Sequence, residues 1–565
     1  MRKVLNLLYE NVSLLVFGII ITYLCVTSFF NTCYISIDWR EHTFFVSDKP
    51  LRNILFVVIL LVGVYCIKKN KLPNKINDDK KMFLIIKYVL LSLIFIFGLV
   101  WVLNTRFFPA ADQYSMQKCV SEFFNNDYSS AISDGYLNKN FQQRGLFMLS
   151  YLFALVFGDM NIIAIQVLNV IAVMFIFKSL SEIVGFYNGS YFMQLIVILS
   201  GIIFPIILLY SYFIYGNIIG LSFALLAIKY ELLFLDDKKN SHGILSSLMI
   251  FMAILCKSNY QIYFIAMFIC LFFNLINNCD VRKVVYLGLL IVALLMSSIL
   301  PTRFIENKTG AKMSDGLSFY SYVAMGLQES ERAPGWYNGF NHDSYAECDN
   351  DTAKHKEYSK KAIEKRIELF KSDMDYADEF LSKKICSEWN NPTYQVFWNI
   401  QDKFDGDFKP SSFMLNFVSL NNTFVIQKYL NIVDSIIKFG ALLFVMYLIF
   451  NKERENLLLP VIFVGGFLFL SFLSEAKAQY TIMFSSLLIP MAVLGYNYFA
   501  DLIIDKNIKC HIDEKIKVIV LILLVLFTCI SVSNKKFLSK DTDFYYEYVS
   551  QGEDFDYSIM PEYLE

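Results

Sequence analysis

The chain lacks the spacing of a metal or redox protein. Its eleven cysteines are scattered with no Cys-x-x-Cys pair, which removes the common zinc and dithiol motifs. Most lie in or beside apolar runs, where a free thiol behaves as a small hydrophobe. Cys348 and Cys386 share one polar segment and are the pair with scope to bridge. Charge of one sign is also missing. With 50 Lys and Arg against 51 Asp and Glu, the formal net charge is -1, and nothing argues for a nucleic-acid partner. No solenoid or inverted-repeat period is visible. Met1-Arg2-Lys3 and the apolar run from Val12 to about Phe30 lack a convincing Ala-x-Ala cleavage site, so this segment reads as an uncleaved signal anchor.

What is abundant is apolar sequence. The 565 residues are 56% hydrophobic and 17% aromatic, with a mean hydropathy of +0.47. Runs of about 18 apolar residues or more read as membrane-spanning helices. Candidate spans are 12–31, 51–67, 83–104, 144–157, 160–178, 191–210, 214–234, 243–256, 260–276, 284–300, 432–450, 457–474, 480–500 and 516–534. The basic linker from Lys68 to Lys81 belongs in the cytoplasm by the positive-inside rule. If every candidate crosses, Lys238-Lys239 and Arg282-Lys283 fall outside, against that rule. One of the two short candidates, 144–157 or 243–256, must therefore fail to cross; each would be ~21 Å as a helix against ~30 Å of hydrocarbon. Demoting 144–157 to an interfacial or re-entrant helix gives the better charge distribution and thirteen spans.

The expected fold is thus an all-α polytopic bundle. Two additional N-terminal helices occupy 1–82, and a transmembrane core occupies 83–300 with an external loop at 105–159. A large extracytoplasmic segment covers 301–431, further transmembrane helices cover 432–534, and a peripheral acidic, Tyr-rich tail covers 535–565. A segment as long as 301–431 is expected to carry its own helices, and Ala353 to Phe380 has the composition of a solvated one.

Several residues could carry chemistry. Asp112 follows an apolar run by a few residues, in Arg106-Phe-Phe-Pro-Ala-Ala-Asp112-Gln113. A carboxylate at the lipid boundary can accept a proton from an acceptor hydroxyl. Equally, Asp112 reads as the N-cap of a helix over 113–124. Asp134 precedes Gly135, which is turn chemistry. Arg144 is placed to meet a phosphate or to snorkel. Lys257 separates two apolar runs, where a cation must reach water, headgroups or an anionic ligand. In Glu475-Ala-Lys477-Ala-Gln479-Tyr480, Lys477 could neutralise a leaving phosphate and Tyr480 stack on a sugar, or the two charges could form a surface pair. Trp336, Tyr337 and Trp389 sit among Asn, Gln and turn residues, a composition that suits sugar recognition and ordinary loop packing alike.

In this order the motifs resemble the GT-C superfamily of membrane glycosyltransferases, in its bacterial branch related to protein O-mannosyltransferases and aminoarabinose transferases. Asp112-Gln113 is similar to the catalytic loop of that family, and Tyr136 through Gln143-Arg144-Gly145 to the segment entering its juxtamembrane helix. Gly158-Asp-Met-Asn161 with Asn169, Tyr215-Gly216-Asn217, Lys257-Ser-Asn259 and Gly335-Trp336-Tyr337-Asn338-Gly339 continue the likeness. So do Trp389-Asn-Asn-Pro392-Thr-Tyr-Gln395 and Glu475 to Tyr480, and the whole covers about 83–500. The two spans before residue 83 depart from the family core, and no metal-site signature is seen.

The resemblance implies a transferase in a bacterial plasma membrane with its site outside. The donor would be a polyprenyl-phosphate sugar, and the acceptor an extracytoplasmic glycan, lipid or protein. Asp112 would be the general base. Lys257, Lys477, Arg144 and Arg303 would hold the phosphate, and Gln113, Asp134, Gln143, Trp336, Tyr337, Trp389, Glu475 and Tyr480 would contact substrate. No cofactor or metal is expected. Two other classes fit a polytopic chain: a polysaccharide polymerase or ligase, expected to centre its site on arginines, and a lipid-linked glycan flippase, expected to show repeats and charges within spans.

Overall fold

The long apolar runs are helices, and their faces divide between protein and lipid. The computed structural model describes residues 2–560, apart from Ser133, Gly189, Asn399, 401–407, 451–456 and 505–511. The helix Pro50–Lys69 buries Asn53 and Val57 and turns Leu51, Leu55, Ile59 and Val62 outward. Lys80–Thr105 starts at Asp79, whose carboxylate accepts from the backbone N–H groups of Lys81 and Met82 at 2.9 and 3.0 Å. It buries Leu91, Ile94, Trp101 and Val102 and exposes Ile85, Val89, Phe97 and Val100. Continuous apolar surface of this extent is compatible with a bilayer and not with water. Among the described residues nine helices are long and apolar enough to cross a membrane, or up to eleven if each of two bent pairs is one span. Two shorter apolar helices are Asn240–Cys256 and Leu458–Leu473. The chain is a multi-pass helical membrane protein.

The bends have identifiable causes. Tyr191–Ile203 and Ile206–Tyr212 meet at 54° around Pro205, and Ala478–Ser485 meets Leu488–Ile504 at 48°. Pro490 has no N–H to donate to the Ser486 carbonyl, so the second pair cannot run through as one ladder. Arg144–Phe157 is a 14-residue helix packed on Asp112–Phe124, Asn240–Cys256 and Val281–Thr309. Its first half is buried, while Leu152, Leu155, Val156 and Phe157 are exposed at its far end.

Polar layers depart from the expectation in three places. First, an antiparallel hairpin, Asn31–Ile35 with Thr43–Ser47, follows the first helix; Cys33 pairs with Phe45. The β-branched and aromatic residues of Thr43-Phe-Phe-Val favour a strand once a partner covers them. Second, the tail is not peripheral. Leu538 accepts from Asn31 Nδ2 at 3.0 Å, Asp541 accepts from the Phe45 N–H at 2.9 Å, and Tyr545 stacks on Tyr34 with ring centroids 4.4 Å apart. Third, Ala353 to Phe380 is two helices, Thr352–Ser372 and Met374–Trp389. Asp373 ends one and caps the next, accepting from the Tyr376 N–H at 2.9 Å. Cys348 and Cys386 are free thiols.

The polar layer lies at one end of the bundle. Asn6 hydrogen-bonds Asn277 and Tyr9 stacks on Phe273, so the start of the first helix lies beside Cys279. Its other end, Phe30, enters the hairpin. Trp39, 67% exposed, and the exposed Cys279 therefore lie at opposite ends of this candidate span. With Cys66, Cys510 and Cys529 replaced by Ser, a membrane-impermeant maleimide applied from one side should label Cys279 or an introduced Trp39→Cys, not both; simultaneous labelling in sealed vesicles would refute a crossing by the first helix.

Candidate active site

Asp112 is set by a strained turn. The helix Lys80–Thr105 ends at Arg106 with φ 45°, and Ala111 then takes φ 49° and ψ -130°. A residue with a Cβ pays of order 1–3 kcal/mol for such a conformation, and such strain clusters at functional sites. Ala111, not Asp112, occupies the cap position of Asp112–Phe124, so the N-cap reading fails. The Asp112 carboxylate stays exposed and accepts from the Tyr136 hydroxyl at 3.5 Å. Its neighbour Gln113 is buried; its side-chain oxygen accepts from the Ile214 N–H at 2.9 Å. Gln113 therefore braces the loop rather than facing a substrate.

That brace belongs to a wider one. Residues 210–216 leave the α-helix while buried, and their carbonyls need donors. Asn169 Nδ2 donates to Ser211 and Phe213, both at 3.0 Å. Gln166 Nε2 donates to Phe107 at 2.8 Å and to Tyr212 at 3.3 Å. The turn carrying Asp112 and the turn carrying Tyr215 are thereby locked to the same helix, Ile162–Asn188.

Lys257 sits between two aromatic rings. Its ammonium lies 4.4 Å from the Tyr215 ring centroid and 5.0 Å from that of Tyr480, and it donates to Asn217 Oδ1 at 2.9 Å. The Tyr215 hydroxyl accepts from Gln143 Nε2 at 2.6 Å and lies 3.4 Å from the Tyr136 hydroxyl. The Tyr480 hydroxyl donates to Glu475 at 2.9 Å. Burial pulls the Lys257 ammonium down to about 7, against the opposing field of Asp112. Burial likewise raises Glu475, offset by Lys477 and the Tyr480 hydroxyl. The charge of Asp112 is also felt at Tyr322, Tyr337 and His342 from the large polar segment. Six stretches of chain thus converge on one carboxylate.

The large segment is sewn down beside this cluster. The Ala476 N–H donates to the Gly335 carbonyl at 2.7 Å, and Gln142 Nε2 donates to the Tyr322 hydroxyl at 2.9 Å. Lys384, fully buried, donates to the carbonyls of Gly326 at 2.6 Å and Ser474 at 2.9 Å. Beside Glu475, Lys477 lies 2.9 Å from Glu41 of the hairpin and 5.0 Å from the Trp398 ring. Glu41 also meets Arg332 at 3.0 Å and Gln395 at 3.1 Å.

Of the residues singled out by sequence, Asp112, Gln143, Lys257, Glu475 and Tyr480 come together, with Lys477 and Tyr337 beside them. Others do not. Trp336 and Trp389 are each 1% exposed; their indole N–H groups donate to Ser387 at 2.8 Å and Ser471 at 3.1 Å. They are core residues, since no ring face is left for a sugar. Arg144 is buried and donates to the carbonyls of Leu137, Asn138 and Ser314, tying loop to loop rather than waiting for a phosphate. Arg303 is exposed and pairs with Glu306 at 2.9 Å. Asp134 lies exposed in its turn, 3.7 Å from Lys139. Tyr136 and Tyr215 were visible within motifs but not as site residues; their neighbours Gln143 and Asn217 were the available signal. Glu41, Arg332 and Trp398 carried none.

No protein-family model matches the chain, and no curated protein matches it. Fold and site together define a polytopic membrane protein with a carboxylate and a half-buried lysine in one tyrosine-lined cluster.

Gly216 permits the approach of the Tyr215 turn to Lys257. Its φ is 78°, and a Cβ there would lie 2.1 Å from the Cys256 carbonyl oxygen. Gly216→Ala should destabilise the protein by about 3 kcal/mol and lower its thermal midpoint in detergent; an unchanged midpoint would contradict the close approach.

Proposed function

We propose that this chain is an integral-membrane glycosyltransferase of the GT-C type. It transfers a sugar from a polyprenyl-phosphate donor to an acceptor outside a bacterial plasma membrane. The observation that carries the reading is the exposed Asp112 carboxylate, held by a strained turn within the field of a half-buried, aromatic-walled lysine. Neither a surface carboxylate nor a snorkelling lysine needs that arrangement. The nine long helices, the two bent pairs and the two shorter apolar helices would make thirteen crossings, with the Asp112 cluster outside.

The chemistry follows from the groups present. Asp112 takes the proton of the acceptor hydroxyl as its oxygen attacks the anomeric carbon. The bond from that carbon to the lipid phosphate breaks, and its electron pair leaves with the phosphate. Attack opposite the leaving group inverts the anomeric centre. Lys257 and Lys477 offset the charge that grows on the phosphate. Tyr136, hydrogen-bonded to Asp112, orients the base. The lipid tail binds through the bilayer, so the site itself needs only to orient the sugar and phosphate.

Asp112→Asn should lower transfer from polyprenyl-phosphate sugars by about 10²–10⁴-fold, while donor binding on the acid side of the Lys257 limb stays within about twofold. Release of polyprenyl phosphate in proteoliposomes measures the first, and surface-glycan profiles of a deletion strain complemented with Asp112→Ala give the cellular counterpart. Near-wild-type turnover would overturn the assignment.

A pH dependence also follows. The donor is a phosphodiester and keeps its negative charge across neutral pH, so binding favours protonated Lys257. Because the empty-site ammonium titrates at about 7, donor affinity should be highest below that pH and fall by up to about tenfold per unit above it. Asp112→Asn removes a field that favours the ammonium and should move this limb to lower pH. A donor affinity independent of pH between 6 and 9 would exclude Lys257 as the phosphate ligand.

A further inference from the structure

Glu41 is the one acidic residue that the hairpin sends into the polar layer beside the Asp112 cluster and that is 4% exposed. Its two oxygens are shared among three groups from three distant segments. Oε1 meets Lys477 Nζ at 2.9 Å and accepts from Gln395 Nε2 at 3.1 Å, while Oε2 meets Arg332 Nε at 3.0 Å. The hairpin grips Arg332 a second time, through the Thr43 hydroxyl, which donates to its carbonyl at 2.6 Å. Lys477 nevertheless remains about one-fifth exposed, so Glu41 does not seal its ammonium off.

Backbone strain is concentrated at the same place. Glu41 has φ 56°, Tyr394 51° and Gln395 61°, all left-handed at residues with a Cβ. Each is a cost that the surrounding contacts must hold in place. Tyr394 is held through its carbonyl by the Tyr210 hydroxyl, and Gln395 Oε1 accepts from the Gln479 N–H at 3.4 Å. A simple surface ion pair requires none of this. Lys477 also has a competing partner: the Glu475 carboxylate, two residues away, which already feels its charge. Lys477 in turn lies within the field of Lys257.

We propose that Glu41 is a positioning residue for the donor phosphate: it draws Lys477 away from Glu475 and fixes the ammonium beside Lys257, making the 31–47 hairpin part of the active site. This role rests on the donor reading given above. Glu41 touches no reacting atom and acts through Lys477.

The test is a double-mutant cycle on the full-length protein in nanodiscs, with undecaprenyl phosphate as the probe. Glu41→Gln and Lys477→Gln should each weaken binding about tenfold, and the double variant should be no weaker than Lys477→Gln alone. Glu41→Asp keeps the charge but shortens the reach, and should fall between wild type and Glu41→Gln; it also serves if Glu41→Gln does not fold. Thermal midpoints are recorded in parallel, since a purely structural role would lower them and leave the affinity of folded protein unchanged. Wild-type affinity in folded Glu41→Gln or Glu41→Asp, or a multiplicative loss of about a hundredfold in the double variant, overturns the role of Glu41 alone. Failure of the wild-type protein to bind the probe overturns the donor reading and this role with it.

Discussion

The buried backbone from Tyr210 to Gly216, where the α-helical ladder is lost, is the constraint on which the site depends. Peptide groups removed from both water and a helical ladder must be paired by side chains. Asn169 and Gln166 supply donors to its carbonyls, and Gln113 accepts from its Ile214 N–H. Tyr210 and Tyr212 reach from it to the carbonyls of Tyr394 and Val396. Through these contacts one irregular turn orients the Asp112 loop, the Lys257 wall and the stretch carrying Gln395. Pro205 bends the span just before it, because it has no N–H to carry the helical ladder through.

The charges around that turn hold one another in check. Asp112 favours the ammonium of Lys257, burial opposes it, and the two meet near neutrality. Lys477 is divided between Glu41 and Glu475, and the Tyr480 hydroxyl satisfies Glu475 from the other side. A set of opposing terms of this kind leaves the cluster responsive to an incoming anion, whereas a single strong ion pair would not be. The rigid surroundings keep these groups from collapsing onto each other: the tail clamps the hairpin, and Lys384 staples the Gly326 and Ser474 turns together.

Much of this frame was legible in the residues. The apolar runs mark the spans because nothing but bilayer tolerates them, and the short run 144–157 is a helix that buries one half of itself. Asp112, Lys257 and the Glu475–Tyr480 linker stood out because ionisable residues beside apolar runs must find partners. The aromatic motifs misled for a physical reason. Trp336 and Trp389 have the same composition around them whether they stack on a sugar or fill a core, and only the packing of Ser387 and Ser471 against their indole N–H groups separates the two. Likewise Arg144 beside a loop reads as a phosphate ligand until the carbonyls of Leu137, Asn138 and Ser314 are seen to use its donors.

The sequence by itself determined the environment and the class: an all-α chain with many apolar helices, suited to a bilayer. These follow from transfer free energies summed along contiguous residues. Tertiary structure alone decided that Glu41 meets Lys477, that Asp112 begins a helix behind a strained Ala111, and that the tail closes the hairpin. The first and last of these join residues hundreds of positions apart. Their energy depends on which polar groups are left without water once the helices pack, and no local pattern encodes that.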